Sequence, residues 1–273
     1  MKTYIVEGGI GKAVAFTALI PELAKDEKIQ IYTPYVDVFA YNPMVHLVMD
    51  SSSIQVFDPR LITSERVFRE VYKGNFINGK SHLIQAMCDD YGIEYSSDMK
   101  PQLYTDRYAS HPDYPLPIGK YCIVQFSGGQ PAVGDHTNQY QSLDAGRNLH
   151  SECAQGIIDV LPKDLTIIDF SLPNEPAYEG ADKLLRPFAW YHEALKNAEF
   201  HISIDSCLNH FSGSTSTKGV TLWGSTKSKL FGYDHNVNLD FELPNYIEPE
   251  TVLAALKLDQ TKVSKKKLGK NNG

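Results

Sequence analysis

The stretch FHISIDSCLNHFSGSTSTKGVTLWGST, residues 200–226, reads as a strand, a tight turn, a short polar helix and a second apolar strand. Asp205, Ser206, Asn209 and His210 gather at the strand-to-helix junction, and Gly224, Ser225 and Thr226 end the next strand. Open α/β sheets hold their ligands beyond the carboxyl ends of the strands. This junction is therefore the first place to look for a site. Asp205 with Ser206 can cap the helix, and a helix N-terminus favours a diphosphate. His210 follows one turn on and can donate to a phosphate or sugar oxygen. A purely structural cap and a packed histidine account for the same residues equally well.

The same grammar repeats on both sides. TYIVEGG, IQIYTP, HLVMD and IQVFD read as short strands, with a Gly turn at Gly8, Gly9 and Gly11 and a helix from Lys12 to Lys25. KSHLIQAMCDDYGIE reads as a helix stopped at Gly92. Three prolines and a glycine between Tyr108 and Lys120 mark a boundary. Beyond it come strand YCIVQFSGG, a helix over 143–161, strand LTIIDFSLP, helix PFAWYHEALKNA, the opening stretch, and a closing helix in PETVLAALKL. Strands alternating with helices predict a mostly parallel sheet in each half.

The 273 residues suit one large domain or two ordinary ones. Cys88, Cys122, Cys153 and Cys207 form no C-x-x-C pair and read as small buried residues of a reducing compartment. No apolar run is long enough to span a bilayer, so the expectation is a cytoplasmic protein without integral membrane association. The net charge of −7 hides an asymmetry: residues 257–273 carry +5, leaving −12 for the rest. A solvated tail explains the lysines, and so does an arm for a polyanion.

EGGIGK lacks the G-x-G-x-x-G spacing of a dinucleotide fingerprint and the Walker pattern, which disfavours a nicotinamide-dependent dehydrogenase. Ser127, Gly128 and Gly129 would let backbone approach a phosphate, or form a bare glycine turn. Glu175, at the end of strand TIIDF, can accept from a ribose diol or stand as an exposed loop carboxylate.

Residues 197–233, NAEFHISIDSCLNHFSGSTSTKGVTLWGSTKSKLFGY, resemble the nucleotide-sugar half of the ADP-heptose:lipopolysaccharide heptosyltransferase family. Asp205, Ser206 and His210 match an Asp-Ser-Gly-x-x-His turn, with Cys207 where the family has glycine. Residues 219–226 match the strand and loop after it. GGIGKAVAFTALIPEL and YVDVFAYNPMVHLVMD resemble the family's opening turn and second segment.

The resemblance implies a GT-B glycosyltransferase: α/β, with two Rossmann-like domains of mostly parallel sheets facing across a cleft. Residues 1–116 would be the acceptor side, 117–246 the donor side, 247–258 a closing helix and 259–273 a basic flexible tail. It further implies inverting chemistry without a metal and no cofactor beyond the nucleotide-sugar co-substrate. Ser127, Gly128, Gly129, Glu175, Asp205, Ser206, Asn209, His210, Gly224, Ser225 and Thr226 would bind the donor. The family's aspartate after the Gly turn is Lys12 here, and an ammonium is a poor base. Lys12 then grips a phosphate, the base passes to Glu7 or Asp37, and Arg147 stands in for a missing basic residue. The implied acceptor is a lipopolysaccharide or other glycan. A hydroxymethylated base in DNA is the alternative that Lys12 and the run Lys265–Lys267 favour, and a non-catalytic nucleotide-sugar-binding protein is a third reading.

Overall fold

The computed structural model describes residues 1–51, 65–67, 81–128, 147–173, 175–241 and 246–257. Two sheets carry the fold. The N-terminal one contains β1 (Lys2–Ile5), β2 (Ile29–Thr33), β3 (Val45–Asp50) and β4 (Glu65–Val67), in the order β3-β2-β1-β4. The C-terminal one contains β5 (Tyr121–Gln125), β6 (Thr166–Asp169), β7 (Asp182–Lys183), β8 (Phe200–Ile204), β9 (Gly219–Trp223) and β10 (Val237–Asp240), in the order β10-β9-β8-β5-β6-β7. All of these pairings are parallel. Each sheet is drawn from one side of the proline-rich stretch.

The helices are α1 (Ile10–Phe16), α2 (Ile20–Leu23), α3 (Val36–Phe39), α4 (Leu83–Tyr91), α5 (Ser151–Val160), α6 (Phe188–Leu195), α7 (Cys207–Thr215), α8 (Ser228–Phe231) and α9 (residues 249–257). The single helix expected over Lys12–Lys25 is broken. A 3-10 turn at Thr17–Leu19 separates α1 from α2, where Pro21 occupies the first turn. Pro lacks the N–H a continuous helix needs. Thr17 also donates to the Val14 carbonyl at 2.6 Å and accepts from the Gln102 N–H at 2.8 Å. The helix expected from Leu143 starts only at Ser151, and residues 143–146 lie outside the described residues, as does the strand expected at IQVFD. Gly92 does end α4, in the left-handed region at φ 67° where glycine is at ease.

The C-terminal sheet is apolar on both faces, as parallel sheets are. Tyr121, Ile123 and Ile168 face one way and join a buried cluster with Tyr4, Phe16, Leu19, Phe39, Trp190 and Phe211. That cluster runs from one half into the other, with α1 packed on α7. Cys122, Val124 and Ile167 face the opposite way, onto α5 and onto Val252, Ala255 and Leu256 of α9. So α9 closes the outer face of the C-terminal half.

Where β8 and β9 run side by side, polar side chains are buried together. His201 Nε2 lies 3.1 Å from Asn236 Oδ1, and the Asn236 amide donates to Ser212 at 2.9 Å. Gly219 makes this approach possible, because a Cβ there would stand 2.2 Å from the His201 carbonyl oxygen. Gly219→Ala must push the two strands apart, and the expected loss is about 1–3 kcal/mol or more. Urea titration of the two proteins measures it.

Candidate active site

The site is built where β1, β5, β8 and β9 end and the helices that follow begin. β8 delivers Asp205, and α7 starts immediately after Ser206. Neither residue caps the helix as expected. Its N-terminal Leu208 N–H is taken by the Gln125 side-chain oxygen at 3.1 Å, and the Ser206 hydroxyl donates to the same oxygen. Gln125, the last residue of β5, thereby ties two neighbouring strand ends together. An amide oxygen arriving from 83 residues away satisfies the donor that a local side chain was expected to satisfy.

Asp205 is left with a different partner. Its carboxylate is 5% exposed and lies 3.8 Å from the Arg147 guanidinium, with the Thr226 hydroxyl beside it. Burial pushes its pKa up, against the opposing pull of Arg147 and Thr226. Three expected site residues from separate parts of the chain thus converge: Asp205, Arg147 and Thr226. A buried pair of this kind is strongly destabilising to break from one side.

His210 is the link between the halves. Its ring lies against the backbone of Gly11 in α1, so closely that a Cβ on Gly11 would stand 2.6 Å from Cδ2 and 3.1 Å from Nε2. Its Nδ1 lies 3.0 Å from the Tyr233 hydroxyl. Burial, reinforced by His82 and Arg147, lowers its pKa to about 3, so the ring is neutral. The opposite edge of the ring, Nε2 and Cδ2, faces the glycine turn. On the other side of that turn Lys12 is 6% exposed, with its side chain folded against Gly8, whose φ is 94°.

Other expected residues stand differently. The Gly128 N–H donates to Asn148 Oδ1 at 2.9 Å, and a Cβ on Gly128 would come 3.2 Å from that of Ser206. Its glycine therefore serves close packing of the β5 turn on β8. Asn209 is fully buried; its amide donates to the Phe231 carbonyl at 2.9 Å and accepts from Thr221 at 3.3 Å, holding α7 to α8 and β9. Glu175 turns back on its own loop to accept the Leu172 N–H at 2.7 Å, and burial raises its pKa. Ser127 lies beside the Tyr178 hydroxyl. Gly224, Ser225 and Thr226 follow β9, with Ser225 exposed. Gly129 and the Lys265–Lys267 run lie outside the described residues.

On the acceptor side Glu7 is exposed at the end of β1, directly before the Gly8 turn. Asp37 is exposed too, but Arg107 holds it at 3.6 Å while stacking on Tyr41 at 3.8 Å. Among the described residues no three His, Cys, Asp or Glu side chains gather to hold a metal, and no helix is long and apolar enough to cross a membrane.

No known family model matches the chain, and no curated protein matches it in sequence. Solved structures match it in shape. An ADP-heptose lps heptosyltransferase II from E. coli superposes with a TM-score of 0.70 at 9% identity, over 96% of this chain and 99% of that one. The fold is that of the heptosyltransferases. A glycosyl transferase family 9 protein from Veillonella parvula gives 0.68 at 12% identity, over 96% and 97%. The E. coli heptosyltransferase WaaC with ADP gives 0.64 at 12%, over 95% and 100%. The GT-B architecture expected from the sequence resemblance is therefore the architecture observed. At such identities the likeness carries the fold, and what each side chain does rests on the geometry above.

Three buried histidines give this GT-B protein a pH-dependent stability. His192 and His210 are lowered to about 3 and His201 to about 4, in each case chiefly by burial. Between those values and the ordinary 6.5 the unfolded chain binds protons that the folded one refuses, so stability falls as pH drops through this window. Each histidine contributes up to about 1.4 kcal/mol per pH unit. Asp169, which burial raises to about 6, works the other way over a narrower span. Urea midpoints should fall on acidification from pH 7 to 5, and more steeply in Asp169→Asn.

Proposed function

We propose that the chain moves a sugar from a nucleotide-sugar to the hydroxyl of a glycan, inverting the anomeric carbon without a metal. The observation that supports this most is the apposition of Gly11 and His210. It brings the glycine turn of one half against the histidine of the other, at the carboxyl ends of strands in both sheets. A donor diphosphate placed there meets the N-terminal end of α7, His210 Nε2 and the Arg147 guanidinium. Oriented dipoles and fixed cations stabilise charge that develops on a leaving group.

In this reading the acceptor oxygen attacks the anomeric carbon as the bond from that carbon to the diphosphate breaks. The nucleoside diphosphate leaves with the electron pair, and the acceptor's proton passes to a carboxylate. Glu7 is the base, because it is exposed beside the glycine turn while Asp37 is held by Arg107. Lys12 remains beside that turn as a positive charge for a phosphate of the donor or of an anionic acceptor. Glu175 receives the ribose, with Ser127, Ser206 and the Gly224–Thr226 loop around the nucleotide. The lipopolysaccharide heptosyltransferase among the structural neighbours favours a glycan acceptor. Of the lysines that favoured DNA, Lys265–Lys267 lie outside the described residues, and Lys12 is buried against the Gly8 turn, which serves a donor phosphate equally well.

A thermal-shift panel of nucleoside diphosphates and nucleotide-sugars tests the donor site. One diphosphate at 100 times its Kd should add about 2.7 kcal/mol of stability. The gain should vanish in Asp205→Ala and weaken in His210→Gln. With the donor so named, Glu7→Gln should slow transfer to a glycan acceptor by about 100-fold or more while leaving binding intact. Binding without turnover in the wild type would make the chain a nucleotide-sugar-binding protein. No binding at all would overturn the reading.

A further inference from the structure

We infer that His82, which belongs to the N-terminal half, is a positioning residue for His210 and acts through Tyr233. The inference rests on the reading of His210 as a donor-site residue, and it adds a control by one half over the other. His82 stands just before α4 and its Nδ1 accepts the Ile84 N–H at 3.2 Å. That bond places the ring proton on Nε2. Nε2 is buried without a hydrogen-bond partner and faces the Phe231 and Gly232 carbonyls, short of hydrogen-bond geometry. Those carbonyls belong to the backbone that leads directly into Tyr233.

The Tyr233 ring is enclosed on three sides. His82 meets it at 5.6 Å and 69°, and His210 meets it at 5.8 Å and 90°. Its flat side lies on α7 at Gly213, where a Cβ would stand 2.5 Å from the ring. Edge-to-face contacts of this kind favour one relative orientation. With Tyr233 so fixed, its hydroxyl holds Nδ1 of His210 at 3.0 Å, and the opposite ring atom faces Gly11. Removing the His82 ring opens one wall, and Tyr233 then no longer dictates the orientation of His210.

The surrounding charges agree with a neutral relay. His210 faces His82 and Arg147, both of which oppose a charge on it, and His82 faces Asp234, which favours one. His235 tilts against Tyr233 at 5.9 Å from the loop before β10. Because His82 and His210 come from different halves, the orientation of the donor-site histidine depends on those halves being in contact.

The test compares the wild type with His82→Ser, Tyr233→Phe and the double variant. Serine is a good N-cap, so α4 keeps its start, and Tyr233→Phe keeps the ring while removing the hydroxyl. Histidine-selective NMR of the ligand-free protein should show His210 neutral at pH 5 in the wild type. In both single variants its ring signals should shift and its titration should move toward the ordinary range. The effect of His82→Ser on His210 should disappear when Tyr233→Phe is already present, as for residues acting in series. Affinity for ADP, GDP or UDP, whichever the wild type binds, should fall about tenfold in each single variant. Unchanged His210 spectra in His82→Ser, or equal effects of His82→Ser with and without the Tyr233 hydroxyl, would overturn the inference. Failure of the wild type to bind any nucleoside diphosphate would instead remove the donor-site reading, and the His210 spectra would still decide the relay.

Discussion

The contact between the Gly11 backbone and the His210 ring is the constraint on which the rest depends. It exists because position 11 has no side chain. With a methyl group there, either the ring moves off Tyr233 or α1 and α7 separate. Separation would open the apolar cluster that links Tyr4, Phe16 and Phe39 with Ile123, Trp190 and Phe211. Closely packed interiors resist such shifts. The same short distance is thus a stability feature and the geometric condition for a site shared between the halves.

Around that contact the buried polar groups form a connected frame. Gln125 caps α7 from the neighbouring strand, Asp205 pairs with Arg147, and Asn209 fastens α7 to β9 and α8. Each engages a polar group withdrawn from bulk water, so losing one partner would leave the other unsatisfied. α7 is consequently anchored at its start and along its length, while the ring of His210 emerges from it toward the glycine turn. A rigid scaffold presenting a few polar atoms is what orienting a diphosphate requires.

Much of the fold was legible because it depends on local patterning. The runs TYIVEGG, IQIYTP, YCIVQFSGG, FHISID and GVTLWG are short, rich in apolar residues and bounded by turn signals, and the strands they predict are present. β10 escaped because HNVNLD carries only two apolar residues and pairs at a sheet edge. β7, at the other edge, is two residues long. The site was legible in part. Asp205, Arg147, Thr226 and His210 do converge, while Gln125, His82 and Tyr233 carry no signal of their own. Their importance comes from tertiary contacts that join residues far apart in sequence. Asn209 and Gly128 show the converse: a suggestive place in a motif, with the polar group already engaged inside the fold.

The most direct measurement is a crystal structure of the chain soaked with the nucleoside diphosphate that stabilises it most. The account predicts the two phosphates at the start of α7, with one oxygen within hydrogen-bond distance of His210 Nε2, Arg147 nearby, and the ribose at Glu175. Phosphates bound elsewhere, or a nucleotide that leaves His210 and Gly11 untouched, would contradict it.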